Sequence, residues 1–154
     1  MIASAAHVRR VPVPVVDASL VVDWVAPGVD PASEAVGALR RLADQDAELL
    51  APRLLLEEVG NALLTGVRRR RWNGAAADAS WVELRALPVR LVDDRRDLER
   101  AWDLARRYDD HPIYDMLYVA LAERARTMLI TADHALRERL VGVDWLVAPA
   151  RFGV

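Results

Sequence analysis

Pro112-Ile113-Tyr114-Asp115-Met116-Leu117-Tyr118-Val119-Ala120-Leu121-Ala122, continued through Arg126 to Met128-Leu129-Ile130-Thr131-Ala132-Asp133, is the stretch that decides the fold. Its first part is apolar on nearly every face of a helix, and a helix of that kind is buried. Pro112 stands where a helix start tolerates proline. Met128 to Thr131 is an apolar run of strand length, and Asp133 opens a further helical stretch to Leu140. A buried helix that feeds a short strand, which feeds another helix, is the repeating unit of an α/β protein.

Outward from that unit the alternation continues. Val11 to Val16 reads as a strand whose prolines push the paired part toward Val15 and Val16. Ser19 to Trp24 and Pro31 to Asp44 read as helices, and Ala47 to Leu50 as a strand. Pro52 is expected to open a helix running to about Arg70. Ala75 to Leu87 is helical, Val89 to Val92 a strand, Arg96 to Tyr108 a helix, and Val143 to Val147 a last strand. Strands alternating with helices predict α/β with a mainly parallel sheet. Ligands of such sheets bind beyond the carboxyl ends of the strands, near a switch in strand order. Asp17 follows the first strand and Asp133 the fourth, so two strands deliver a carboxylate to one edge.

Two more acids stand at odd places. Leu54, Leu55, Val59, Ala62 and Leu63 make one apolar stripe on a helix. Glu58 lies four residues from both Leu54 and Ala62 and so falls inside the stripe, while Glu57 falls outside it, one turn from Arg53. Asn61 is one turn on and within reach of Glu58. Asp115 is the only charge in the apolar helix before Glu123. The helix dipole offers it about 0.3–1 kcal/mol in the first turn. That does not offset the burial of an unpaired charge. Asp17, Glu58, Asp115 and Asp133 gathered in one pocket would repel one another, and their pKa values would rise. A hard divalent cation relieves that repulsion, and Mg²⁺ suits a few carboxylates plus water. Plainer explanations stand beside this one: Asp17 and Asp133 as helix caps, Asp115 as a dipole partner, Glu58 as a partly exposed residue.

Composition sets the limits. The chain has 154 residues, 53% of them hydrophobic and 29% charged, which fits one soluble domain able to bury about two-thirds of its surface. No cysteine is present, which excludes disulfide frameworks, zinc fingers, iron–sulfur clusters and thiol catalysis. All 21 basic residues are arginine and the net charge is −2, so any nucleic-acid contact must come from a local patch. The longest uncharged run, Val59 to Val67, is nine residues against the roughly 20 a membrane helix needs. The amino terminus lacks the order of a signal peptide, and a cytoplasmic protein is expected.

The strings Val15-Val16-Asp17-Ala18-Ser19, Glu58-Val59-Gly60-Asn61-Ala62-Leu63, His111-Pro112-Ile113-Tyr114-Asp115 through Ala122, and Thr131-Ala132-Asp133 come in an order and spacing that resemble the PIN-domain nucleases, most closely the VapC-type toxins. The resemblance covers about residues 13 to 150. It implies a three-layer α/β/α sandwich with a central, mainly parallel sheet, and a Mg²⁺- or Mn²⁺-dependent endoribonuclease. The family's acids fall on Asp17, Glu58, Asp115 and Asp133, and its orienting positions on Ser19, Asn61 and Thr131. It also implies a cognate small antitoxin protein, an RNA substrate and a homodimer, with no membrane association. A catalytically silent PIN-like module that binds RNA or protein, and an RNA-processing nuclease that is not a toxin, are the alternatives. The family's first acid stands almost at the amino terminus. Here residues 1–12 precede the domain and are expected to form an extension without fixed order, with 13–154 as a single domain.

Arg68-Arg69-Arg70-Arg71-Trp72 is the one basic cluster. It could grip RNA with Trp72 stacked on a base, receive an acidic antitoxin segment, or simply be a solvated helix end. Trp24, Trp81, Trp102 and Trp145 are expected in the core. His7, His111 and His134 show no metal-binding spacing, and His111 and His134 are expected as capping or surface residues.

Overall fold

A computed structural model describes residues 13–153; the expected extension 1–12, with Val11 of the first strand and His7, lies outside the described residues, as does residue 154. Five strands, β1 (Val15–Val16), β2 (Leu49–Pro52), β3 (Val89–Val92), β4 (Leu129–Ile130) and β5 (Leu146–Val147), form one sheet in the order β3-β2-β1-β4-β5. Every pairing is parallel. Val15 and Val16 pair with Leu129 and Ile130, and all four are fully buried. Successive side chains of a strand point to opposite faces, so both faces of the sheet centre are covered.

The cover comes from the helices α1 (Ala18–Val25), α2 (Glu34–Asp44), α3 (Leu55–Arg68), α4 (Gly74–Ala86), α5 (Arg95–Arg107), α6 (Ile113–Ala125) and α7 (His134–Arg139). α1 packs on α2, α3 and α4, while α6 lies against β1, β2 and β4 and carries α5 on its outer side. The expected α/β sandwich is the fold found. Met116 and Tyr118 through Ala122 bury α6, as its sequence required. Two ion pairs join α5 to α6: Arg124 grips Asp97 at 2.6 and 2.8 Å, and Arg100 grips Glu123 at 2.6 and 2.8 Å. Asp97 is buried, so this fork supplies the charge partner that burial demands. No helix among the described residues is long and apolar enough to cross a membrane.

Several boundaries differ from expectation. Pro52 ends β2, paired with Val92, and α3 begins only at Leu55. A proline is as acceptable at a strand end as at a helix start, because the next donor, Arg53 N, continues the ladder to Val92 O at 2.9 Å. Trp24 is core, its indole donating to Ala35 O at 2.7 Å, but Trp81 and Trp102 are 37% and 61% exposed. Trp145 is partly buried.

Candidate functional site

β1 and β4 are neighbours, while β2–β3 and β4–β5 extend the sheet in opposite directions from them. Their carboxyl ends are therefore the switch point at which ligands bind. Asp17 leaves β1 there as the N-cap of α1, and Asp133 follows β4 as the N-cap of α7. The plain capping explanation of both residues is thus correct, and it coexists with their place at the switch point.

Capping fixes where Asp17 points. Its Oδ1 accepts from Leu20 N at 3.0 Å and from Ser19 Oγ at 2.7 Å, and its Oδ2 accepts from Thr131 Oγ1. Ser19 Oγ in turn accepts from Ala132 N at 3.2 Å, and Thr131 Oγ1 from Asp133 N at 3.0 Å. Ser19 and Thr131 tie the β1–α1 corner to the β4–α7 corner with Asp17 between them. Asp17 is 6% exposed, and burial pushes its carboxyl up to about 6, with the charge of Asp133 adding to the effect. The three donors all favour the anion, and they do not offset the desolvation.

Glu58 sits half-buried at the rim of the α3 stripe; Leu55, Val59, Leu63 and Gly66 form its buried line. Tyr118, a core residue of α6, donates its hydroxyl to Glu58 Oε2 at 2.5 Å. Burial raises the Glu58 carboxyl above the usual range, and the charge of Asp115 raises it further. Asp115 lies in the first turn of α6, with its Oδ2 at 2.7 Å from His111 Nε2. Asn61 is exposed, and among the described residues no hydrogen bond joins it to Glu58: one turn of helix carries it off the rim.

The four acids thus stand at one sheet edge as two like-charged pairs, Asp17 with Asp133 and Glu58 with Asp115. The Tyr118 phenol is driven upward by burial, by its bond to Glu58 and by the charges of Glu58, Asp17 and Asp115. Among the described residues no three His, Asp or Glu side chains form a ready-made metal site. Each of three acids has a protein partner: Ser19 and Thr131 donate to Asp17, Tyr118 donates to Glu58, and His111 Nε2 lies within hydrogen-bond distance of Asp115. A cavity of about 540 Å³ opens on the same edge, between Leu54, Val92, Leu98 and Leu117, without these acids in its wall.

The donor set still fits a hard divalent cation. All the candidate ligands are oxygens, Asp17 and Glu58 carry pKa values raised by burial and like charge, and among the described residues no arginine pairs with any of the four acids. Sequence reasoning missed two residues. Tyr118 looked like ordinary core, although it stands at i+3 from Asp115 and so shares a face with it. His111 at i−4 from Asp115 carried the same signal. Arg68 to Arg71 are exposed at the end of α3. Trp72 is half-buried: its indole donates to Leu63 O at 2.9 Å and its ring fills the notch left by Gly66.

The sequence pattern of the family described as PIN domain matches residues 15–139, and the chain belongs to that family. Among curated relatives it is similar to Ribonuclease VapC3 of Mycobacterium tuberculosis, in the strains CDC 1551 / Oshkosh and ATCC 25618 / H37Rv. Each is 37% identical over 122 residues, which is 79% of this chain and 83% of the relative. That likeness sets the chain with the VapC-type members of the family.

Proposed function

We propose that this chain is a metal-dependent endoribonuclease, the toxin of a type II toxin–antitoxin pair, and that Asp17, Glu58, Asp115 and Asp133 hold Mg²⁺ or Mn²⁺. The observation that carries the proposal is Asp17: a carboxylate fixed by three donors at the switch point and still pushed up to about 6. Its remaining demand is for positive charge. The ribonuclease name of the relatives supports the same assignment.

When bound, such a cation polarises a phosphodiester and lowers the pKa of a coordinated water. The chain's own contribution is placement. Ser19 and Thr131 hold Asp17 against rotation, the α7 cap holds Asp133, and His111 holds Asp115. Arg68 to Arg71 offer the phosphate backbone, or an acidic antitoxin segment, its cationic contact. A homodimer and a cytoplasmic location belong to the same proposal.

Labelled single-stranded RNA incubated with the protein tests it. Cleavage to 3′-hydroxyl and 5′-phosphate ends is expected with Mg²⁺ or Mn²⁺, and none with EDTA. RNA that is bound but left intact in both conditions would contradict the assignment.

A further inference from the structure

Glu57 and Glu58 are neighbours on α3 with opposite fates. Glu57 is exposed and paired with Arg53. Glu58 is turned inward, and among the described residues its carboxylate is held by one side chain, the Tyr118 hydroxyl. Tyr118 is 1% exposed and opens the run Tyr118 to Ala122 of α6, in which every residue is buried. A phenylalanine would fill that volume equally well. The hydroxyl therefore has a polar reason to be there, since buried polar groups persist where they are paired.

We propose that Tyr118 is a positioning residue for Glu58: its phenol O–H holds the Glu58 carboxylate at the acidic edge and so sets the site's affinity for a divalent cation. This rests on the assignment of the four acids as cation ligands. The geometry suits it. A carboxylate has about four lone-pair sites, and one O–H donor leaves the others free. The donor reaches across from α6, the helix that carries Asp115, so one bond fixes the spacing between α3's acid and α6's acid. Without that donor a half-buried Glu58 has no protein partner and turns toward water. Groups that orient a ligand from behind typically set metal affinity by about 10-fold to 100-fold.

The test is a double-mutant cycle in Mn²⁺ binding, read from the free-ion signal in electron paramagnetic resonance, on wild type, Tyr118→Phe, Glu58→Gln and the double variant. Tyr118→Phe should weaken binding about 10-fold. The double variant should bind no more weakly than Glu58→Gln alone. In RNA cleavage, Tyr118→Phe should raise the half-saturating Mn²⁺ concentration and recover most of the rate at saturation, whereas a loss of packing would lower the rate at every concentration. Wild-type affinity in Tyr118→Phe, or equal weakening with and without Glu58, overturns the proposal while leaving the cation site intact. A wild type that binds no Mn²⁺ overturns the cation site and this proposal with it. The wild type supplies a second check should Tyr118→Phe not fold. Its buried hydroxyl proton, followed by nuclear magnetic resonance, should shift on adding Mg²⁺ and move in Glu58→Gln; indifference to both overturns the proposal.

Discussion

A helix cap and a cation ligand ask the same thing of an aspartate: a fixed rotamer with oxygens aimed off the end of a strand. Asp17 answers both, and burial is what separates it from an ordinary cap. Its carboxyl lies at about 6 in the folded protein against an ordinary 3.8. Below pH 4 both folded and unfolded states carry the proton. Between about 4 and about 6 the folded state keeps a proton that the unfolded state has lost, so stability falls as pH rises, and above about 6 the loss is complete. The change is worth about 3 kcal/mol. In EDTA, wild-type stability measured against Asp17→Asn should therefore fall by about 2–3 kcal/mol from pH 4 to pH 7 in denaturant titrations. A constant difference over that range would contradict a buried carboxylate lacking a cationic partner. Asp17 and Asp133 were legible in the sequence because they follow valine- and leucine-rich strands. Thr131 itself was picked out only by resemblance, and its bond to Asp17 was not legible, since a contact across 114 positions leaves no local pattern.

At the scale of the element, α3 and α4 show what spacing alone conceals. Glycine costs a helix about 0.5–1 kcal/mol, and α3 contains two. A Cβ on Gly60 would stand 3.0 Å from the Trp81 ring, and one on Gly66 would stand 1.9 Å from the Trp72 ring. The glycines are where indoles dock. Gly66→Ala should displace Trp72 from Leu63 O and cost about 1–3 kcal/mol, with a red shift in tryptophan emission. Unchanged stability and emission would show that the notch is not needed. The stripe of α3 was legible from its leucines. Trp72, Trp81 and Trp102 were not, because an indole's apolar body suits a helix groove as well as a core. The start of α3 was misplaced at Pro52 for a related reason: proline excludes positions without choosing between a strand end and a helix start.

For the molecule as a whole, the alternation of strands and helices carried the architecture, and parallel pairing followed from it. Strand order did not. It arises from which buried faces meet, and it decides that the first and fourth strands, 114 residues apart at Val15 and Leu129, end side by side. That adjacency brings Asp17 and Asp133 together. The contact of α6 with β1 and β2 brings Asp115 and Tyr118 toward the same edge. What the sequence could not convey is which side chains hold these carboxylates: Thr131 on Asp17, Tyr118 on Glu58 and His111 beside Asp115. The most direct measurement is RNA cleavage by wild type and by a folded Asp115→Asn variant in millimolar Mg²⁺. Loss of one ligand carboxylate should slow cleavage at least about 100-fold with the circular-dichroism spectrum unchanged. Cleavage by Asp115→Asn at the wild-type rate would contradict the assignment of these acids as the cation-binding centre of a ribonuclease.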